Sequence, residues 1–235
     1  MNQTPSTQGP LGFADLMRPG ERIAALIYLP VHIVVLPLLL PYLSYAIPGL
    51  STVDLNLIYY SIGFVCCLLL FWRFLRASFN AAWERPGSLL LGVFGGYAME
   101  LALSMLLSSL LIIFGLQSVT SPNNEAIISM APEGMNKLTA MTVFMAPIVE
   151  EILFRGLAFG VLRSRNRAAA WIVSVLLFSF YHVWQYAVID PLYLLTAVLY
   201  IPASIALNWS YERSGSIWAP IFYHMLTNAV GISAL

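Results

Sequence analysis

The sequence predicts an all-α protein, a polytopic helical bundle within a membrane. Three observations predict it. Of 235 residues, 60% are hydrophobic and 9% charged, and the mean hydropathy is +0.80; soluble domains carry about 25% charged residues. Apolar runs close to the ~20 residues that cross a bilayer recur along the chain. Basic residues fall in alternate connections between those runs. The net charge is zero and no basic tail is present, which argues against nucleic acid as a partner.

Taken in order, residues 1–20 are polar, contain Pro5, Gly9, Pro10 and Pro19, and lack the apolar core of a signal peptide. They read as a cytoplasmic N-terminus, followed by a single transmembrane domain over residues 21–235. The first span runs from about Ile23 to Ile47 and can kink at Pro30, Pro37 and Pro41. The second runs from about Leu55 to Leu75. The adjacent Cys66 and Cys67 lie inside it, where helix neighbours point apart and do not suit a disulfide. The third, about Ser88 to Leu116, is long enough to tilt or to break near Gly95-Gly96, which would make an eighth span. Gln117 to Asn136 reads as a polar connection. The fourth span is Lys137 to Leu162, the fifth about Ala168 to Val188, the sixth about Pro191 to Asn208 and the seventh about Ser216 to Ile232.

Seven spans sort the basic residues. Arg18, Arg22, Arg73, Arg76, Arg85, Arg163, Arg165, Arg167 and Arg213 fall on one side, Lys137 on the other, and Arg155 inside. The positive-inside rule places the nine in the cytoplasm, with the N-terminus cytoplasmic and the C-terminus external. No internal repeat is visible, which weakens a transporter built on inverted repeats.

The fourth span carries Glu150, Glu151 and Arg155. Each charge at the centre of a spanning helix costs about 2.5–3.5 kcal/mol, so such residues are read as functional by default. At 1.5 Å per residue, Glu150 lies about 20 Å from the cytoplasmic end of its span, His182 at a similar depth in the fifth, and His224 and Asn228 about 13–20 Å deep in the seventh. Glu151 and Arg155 are four apart with Glu first, the favourable order for an ion pair, and His224 and Asn228 share a helix face. Glu150 points about 100° away from Glu151. A carboxylate and an imidazole can position a water and take its proton; a second imidazole and an amide can donate to an oxyanion. Glu150, His182 and His224 are also ligand types for zinc.

Three motifs, in this order on separate spans, complete the picture: EEILFR (Glu150, Glu151, Arg155), FSFYH (Phe178 to His182) and HMLTN (His224 to Asn228). They resemble the Glu-Glu-x-x-x-Arg, Phe-x-x-x-His and His-x-x-x-Asn motifs of the CPBP family, which comprises type II CAAX prenyl endopeptidases and bacterial proteins of the Abi group. The resemblance covers about residues 138–235. It implies a bacterial protein of the cytoplasmic membrane and an intramembrane endopeptidase cutting near the C-terminus of a lipid-modified or membrane-embedded protein. It also implies roles. Glu150 and His182 would activate the water, His224 and Asn228 would line the oxyanion site, and Glu151 and Arg155 would support them. Metalloprotease chemistry with zinc and a metal-free glutamate-activated water are both compatible with it. Two rival readings are a catalytically silent scaffold or bacteriocin-immunity protein of the same family, and a proton-coupled transporter using the same acids and histidines. Outside the motifs, His32 reads as structural, and Gly156 with Gly160 as a close-packing pair. Glu100, an acid in the third span, has no explanation in the sequence.

Overall fold

The computed structural model describes residues 13–235; most of the polar N-terminal stretch, residues 1–12, lies outside them. Among the described residues there are nine helices and no strand: α1 Pro19–Ala46, α2 Thr52–Leu70, α3 Trp72–Glu84, α4 Pro86–Ile113, α5 over residues 122–163, α6 Arg167–Tyr181, α7 Trp184–Ile189, α8 Pro191–Ser214 and α9 Trp218–Ser233. Four of them, α1, α2, α4 and α8, are long and apolar enough to cross a membrane on length and composition alone. The large side chains left exposed are mostly Leu, Ile, Val, Phe and Trp. That is the surface a bilayer would cover.

Helix α5 is the axis, packing against α1, α2, α6, α8 and α9. Its residues Glu150 to Leu157 are all buried. Gly156 makes a close approach possible: a Cβ there would sit 3.0 Å from the Phe74 ring and 3.1 Å from the Met17 methyl. The helix is not uniform. Ala140–Met145 and Glu151–Phe159 are wound as π-helix, a geometry that collects at functional sites.

Four expectations are corrected. Helix α4 does not break at Gly95-Gly96; it is continuous, and its glycines are packing notches instead. A Cβ on Gly92 would lie 2.9 Å from the Ala219 Cβ, and one on Gly95 2.7 Å from the Trp209 ring, so α4 crosses α8 and α9 at close range. The second span ends at Leu70 rather than Leu75, and a separate amphipathic helix, α3, follows. It buries Phe74, Leu75, Ser78 and Ala82 and leaves Trp72, Phe79 and Trp83 exposed, as a helix lying in an interface does. The polar connection is largely helical. Ser121 caps it, accepting from the Asn124 N–H at 3.1 Å, and Pro122 stands in its first turn. It breaks only at Gly134, and Lys137 pairs with Asp54 at 2.6 Å beside the break. The fifth span stops at Tyr181, where the chain turns at His182 and Val183 into the short α7. Of the three prolines where α1 can kink, two stand at changes of winding, a π-helical stretch at Val31–Val35 after Pro30 and a tighter turn at Leu40–Tyr42 around Pro41, while Pro37 lies in α-helix.

The end of the bundle nearest α3 is tied by polar bonds. Glu21 accepts the Phe74 N–H at 2.8 Å, and the Trp218 indole donates to Leu75 O at 3.0 Å. Arg163 and Arg167 converge on Glu212. Gly215, at φ +70°, makes the left-handed turn between α8 and α9.

Candidate active site

Glu150 and Glu151 are successive residues of α5, and the helix turns them into different surroundings. Glu151 is fully buried and faces α8 and α9. Its Oε1 accepts from Arg155 Nη1 at 3.2 Å and from His224 Nδ1 at 2.8 Å. Arg155, also fully buried, donates from Nε to Asn208 Oδ1 at 3.2 Å and from Nη2 to Ser204 Oγ at 3.0 Å and Ser204 O at 3.3 Å. Its guanidinium lies 4.2 Å from the centre of the Phe178 ring. Asn208 Oδ1 accepts a second bond from Ser174 at 2.9 Å. One ion pair thereby ties α5, α6, α8 and α9 together, which is how a buried charge pair becomes tolerable.

Glu150 faces a cavity of about 580 Å3 lined by residues of α2, α4, α5, α6, α8 and α9, with Gln185 and Tyr186 of α7. Its Oε1 has one long contact, from Tyr60 OH at 3.5 Å. Its Oε2 is buried and has no hydrogen-bond partner among the described residues. Two imidazole nitrogens face that oxygen: His182 Nε2 at 3.9 Å and His224 Nε2 at 4.0 Å.

Local structure aims both rings. His182 follows the last residue of α6, and its Nδ1 donates back to Phe178 O at 2.9 Å. A carbonyl only accepts, so in the neutral ring Nε2 is the acceptor. The ring also stacks on Tyr200, with centres 4.4 Å apart. His224 is held from behind by Glu151. Phe178, four residues before His182, fills the angle between the Arg155 guanidinium and both rings.

Asn228 lines the same cavity but is already engaged. Its Nδ2 donates to Thr142 O at 2.7 Å. The π-helical register explains this bond. Ala146 N–H reaches back five residues to Met141 O; the next donor in that register would be residue 147, a proline with no N–H. Thr142 O is left for Asn228, and the bond ties α9 to α5.

Zinc fits this arrangement poorly. The donor types are right, but ligand atoms about 2.0–2.1 Å from a tetrahedral zinc sit only about 3.3 Å apart. Here the nitrogens stand 3.9 and 4.0 Å from the carboxylate oxygen. Among the described residues no group of three His, Cys, Asp or Glu side chains is disposed to hold a metal ion. A water suits the spacing better: about 2.8 Å from Oε2 and from each Nε2, it would subtend about 90° between the carboxylate and either ring.

The sequence brings together Glu150, His182 and His224, and pairs Glu151 with Arg155, as their depths and spacing predict. It did not single out Ser204 and Asn208, which hold Arg155. They are four apart on the sixth span, and that spacing was a usable signal. It also missed Tyr60 and Tyr181, whose hydroxyls lie 3.5 Å apart beside Glu150. His32 is structural as expected: it is fully buried, and Tyr59 OH sits 2.9 Å from Nε2 and Tyr28 OH 3.3 Å from Nδ1. Glu100 acquires partners, Tyr223 OH and Thr227 Oγ1.

Comparison with known proteins agrees with the motifs. Residues 134–230 match the family model described as Type II CAAX prenyl endopeptidase Rce1-like. The chain is 30% identical over 109 residues to the "Putative membrane peptidase YdiL" of Bacillus subtilis (strain 168), an alignment spanning 46% of this chain and 41% of that protein. No solved structure matches. The family match covers the segment that holds the three motifs, and the chain spans less than half the length of the relative it matches.

Proposed function

We propose that this protein is an intramembrane endopeptidase of the CAAX type. In this reading its N-terminus is cytoplasmic, and it hydrolyses a peptide bond near the C-terminus of a lipid-modified or membrane-embedded protein. One observation carries the reading. Glu150 Oε2, buried and unpartnered, faces His182 Nε2 and His224 Nε2 at 3.9 and 4.0 Å in a cavity of about 580 Å3. Two acceptors, Glu150 Oε2 and His182 Nε2, converge on one point and call for a donor between them, and water is both that donor and the co-substrate of hydrolysis.

The chemistry follows from these groups. A water held by Glu150 Oε2 and His182 Nε2 loses a proton to Glu150 as its oxygen bonds to the scissile carbonyl carbon. The carbonyl oxygen becomes an oxyanion. His224, when doubly protonated, offers it Nε2–H, with Glu151 as counter-charge behind the ring. Asn228 sits one helical turn from His224 and lends its second amide hydrogen or, through Thr142, fixes the approach of α9 to α5. Glu150 then returns the proton to the leaving nitrogen as the C–N bond breaks, giving a carboxylic acid and an amine. Glu151 and Arg155 position His224 and do not touch the reacting atoms.

The test is cleavage of an internally quenched, farnesylated CAAX peptide by the purified protein in detergent, beside Glu150→Ala. Cleavage by the wild type alone is expected. A fully active Glu150→Ala protein sinks the reading, and a wild type that cleaves neither this peptide nor a non-prenylated membrane segment favours a non-catalytic scaffold.

A further inference from the structure

Glu100 is an acid of the cavity wall that belongs to none of the three motifs. It stands on α4, in the part of the chain outside the family match. Its Oε2 accepts from Tyr223 OH and, at 3.0 Å, from Thr227 Oγ1. Both donors are neutral. None of the ion pairs among the described residues includes it. The hydroxyls hold the carboxylate in place without cancelling its charge. A carboxylate at membrane depth is costly unless a cation meets it.

Among the described residues the cavity offers that carboxylate no lysine or arginine, and its His224 is engaged by Glu151 instead. Its described lining contains Glu100 and Glu150 but no lysine or arginine, and residues 1–12 contain none either. The other polar groups along it are mostly neutral, among them Asn56, Asn123, Asn124 and Gln185. Arg155, the buried cation nearby, is spent on Glu151, Asn208 and Ser204. A carboxylate held only by neutral donors in a concave, low-dielectric wall attracts a cation.

We propose that the cavity takes a substrate segment carrying a cationic group, a lysine or arginine side chain near the scissile bond, with Glu100 as its counter-charge. This deepens the peptidase reading and rests on it. Glu100 is a specificity residue here and takes no part in the bond-breaking step. The same wall disfavours an acidic side chain at that position.

The test is binding, so that it does not depend on turnover. The probes are three apolar 12-residue peptides with a neutral fluorophore, identical except for a central Lys, Gln or Glu. The receptor is the Glu150→Gln protein in detergent, read by anisotropy. The Lys peptide is expected to bind about tenfold more tightly than the Gln peptide, with the Glu peptide weakest. Adding Glu100→Gln, which keeps an acceptor for Tyr223 and Thr227, should bring the Lys and Gln peptides within about twofold of each other. Glu100→Asp should retain the preference for Lys and guards against a folding artefact. No binding of the Lys peptide, equal binding of all three, or a preference that survives Glu100→Gln overturns the inference. Failure of the peptidase reading would show separately, as a wild type that binds the Lys peptide and cleaves none of the three.

Discussion

Glu150 and Glu151 are neighbours on one helix, equally removed from solvent, yet their surroundings are opposite. Glu151 has a guanidinium and an imidazole on one oxygen, inside a network that reaches four helices, and its other oxygen is buried against the bundle without a hydrogen-bond partner. Glu150 has a single 3.5 Å contact on one oxygen and no partner on the other. Rotation of about 100° per residue separates a carboxylate that holds the bundle from one left open to chemistry. The difference teaches that burial alone does not mark a catalytic acid. Nor does an unpartnered oxygen alone, since Glu151 Oε2 has none either; what marks Glu150 is unused acceptor capacity aimed into a cavity, which Glu150 lines and Glu151 does not.

Substitutions can break or sharpen that contrast. The largest effect is expected from Glu150→Gln: kcat/KM should fall by about 10²–10⁴-fold, the usual worth of a general base, while unfolding in mixed micelles changes by less than about 1 kcal/mol, because few bonds are lost. On the other face, Arg155→Leu should cost about 3–5 kcal/mol of stability in the same unfolding measurement, since it removes the permanent counter-charge of a buried Glu151 and leaves it only His224. Asn208→Ala is milder. It leaves the Arg155 Nε without its acceptor and the Ser174 hydroxyl with only Phe154 O, and should cost about 1–3 kcal/mol. Smallest is Tyr60→Phe, which removes two long contacts of 3.5 Å, to Glu150 Oε1 and to Tyr181 OH. Stability should shift by less than about 1 kcal/mol and kcat/KM by less than about threefold. A large loss there would make Glu150 a held residue like its neighbour.

Much of this contrast was legible in the sequence, because charged residues in apolar spans stand out and helical rise converts their positions into depths. The meeting of Glu150, His182 and His224 follows from that arithmetic, as does the Glu151–Arg155 pair from its spacing. The rest depended on contacts that periodicity does not encode. Gly95-Gly96 read as a weakness in α4, but in a membrane helix a missing side chain is as much a notch for a partner, here Trp209 and Tyr223. Pro122, Asn123 and Asn124 read as a loop, whereas Ser121 and Pro122 form a helix start. The fifth span was drawn through Val188 because apolar residues continue past His182; the chain turns there and leaves His182 at a helix end. The engagement of Asn228 could not be foreseen, since it depends on a π-helical register that frees Thr142 O beside Pro147.

The division of labour between the two glutamates is tested most directly by comparing purified Glu150→Gln and Glu151→Gln with the wild type, for melting in detergent and for cleavage of the quenched farnesylated peptide. Glu150→Gln should melt with the wild type and cleave at least about 100-fold more slowly. Glu151→Gln should melt several degrees lower, because Arg155 and His224 lose the carboxylate that holds them. A Glu150→Gln protein that cleaves at the wild-type rate, or that is destabilised as much as Glu151→Gln, would contradict the account.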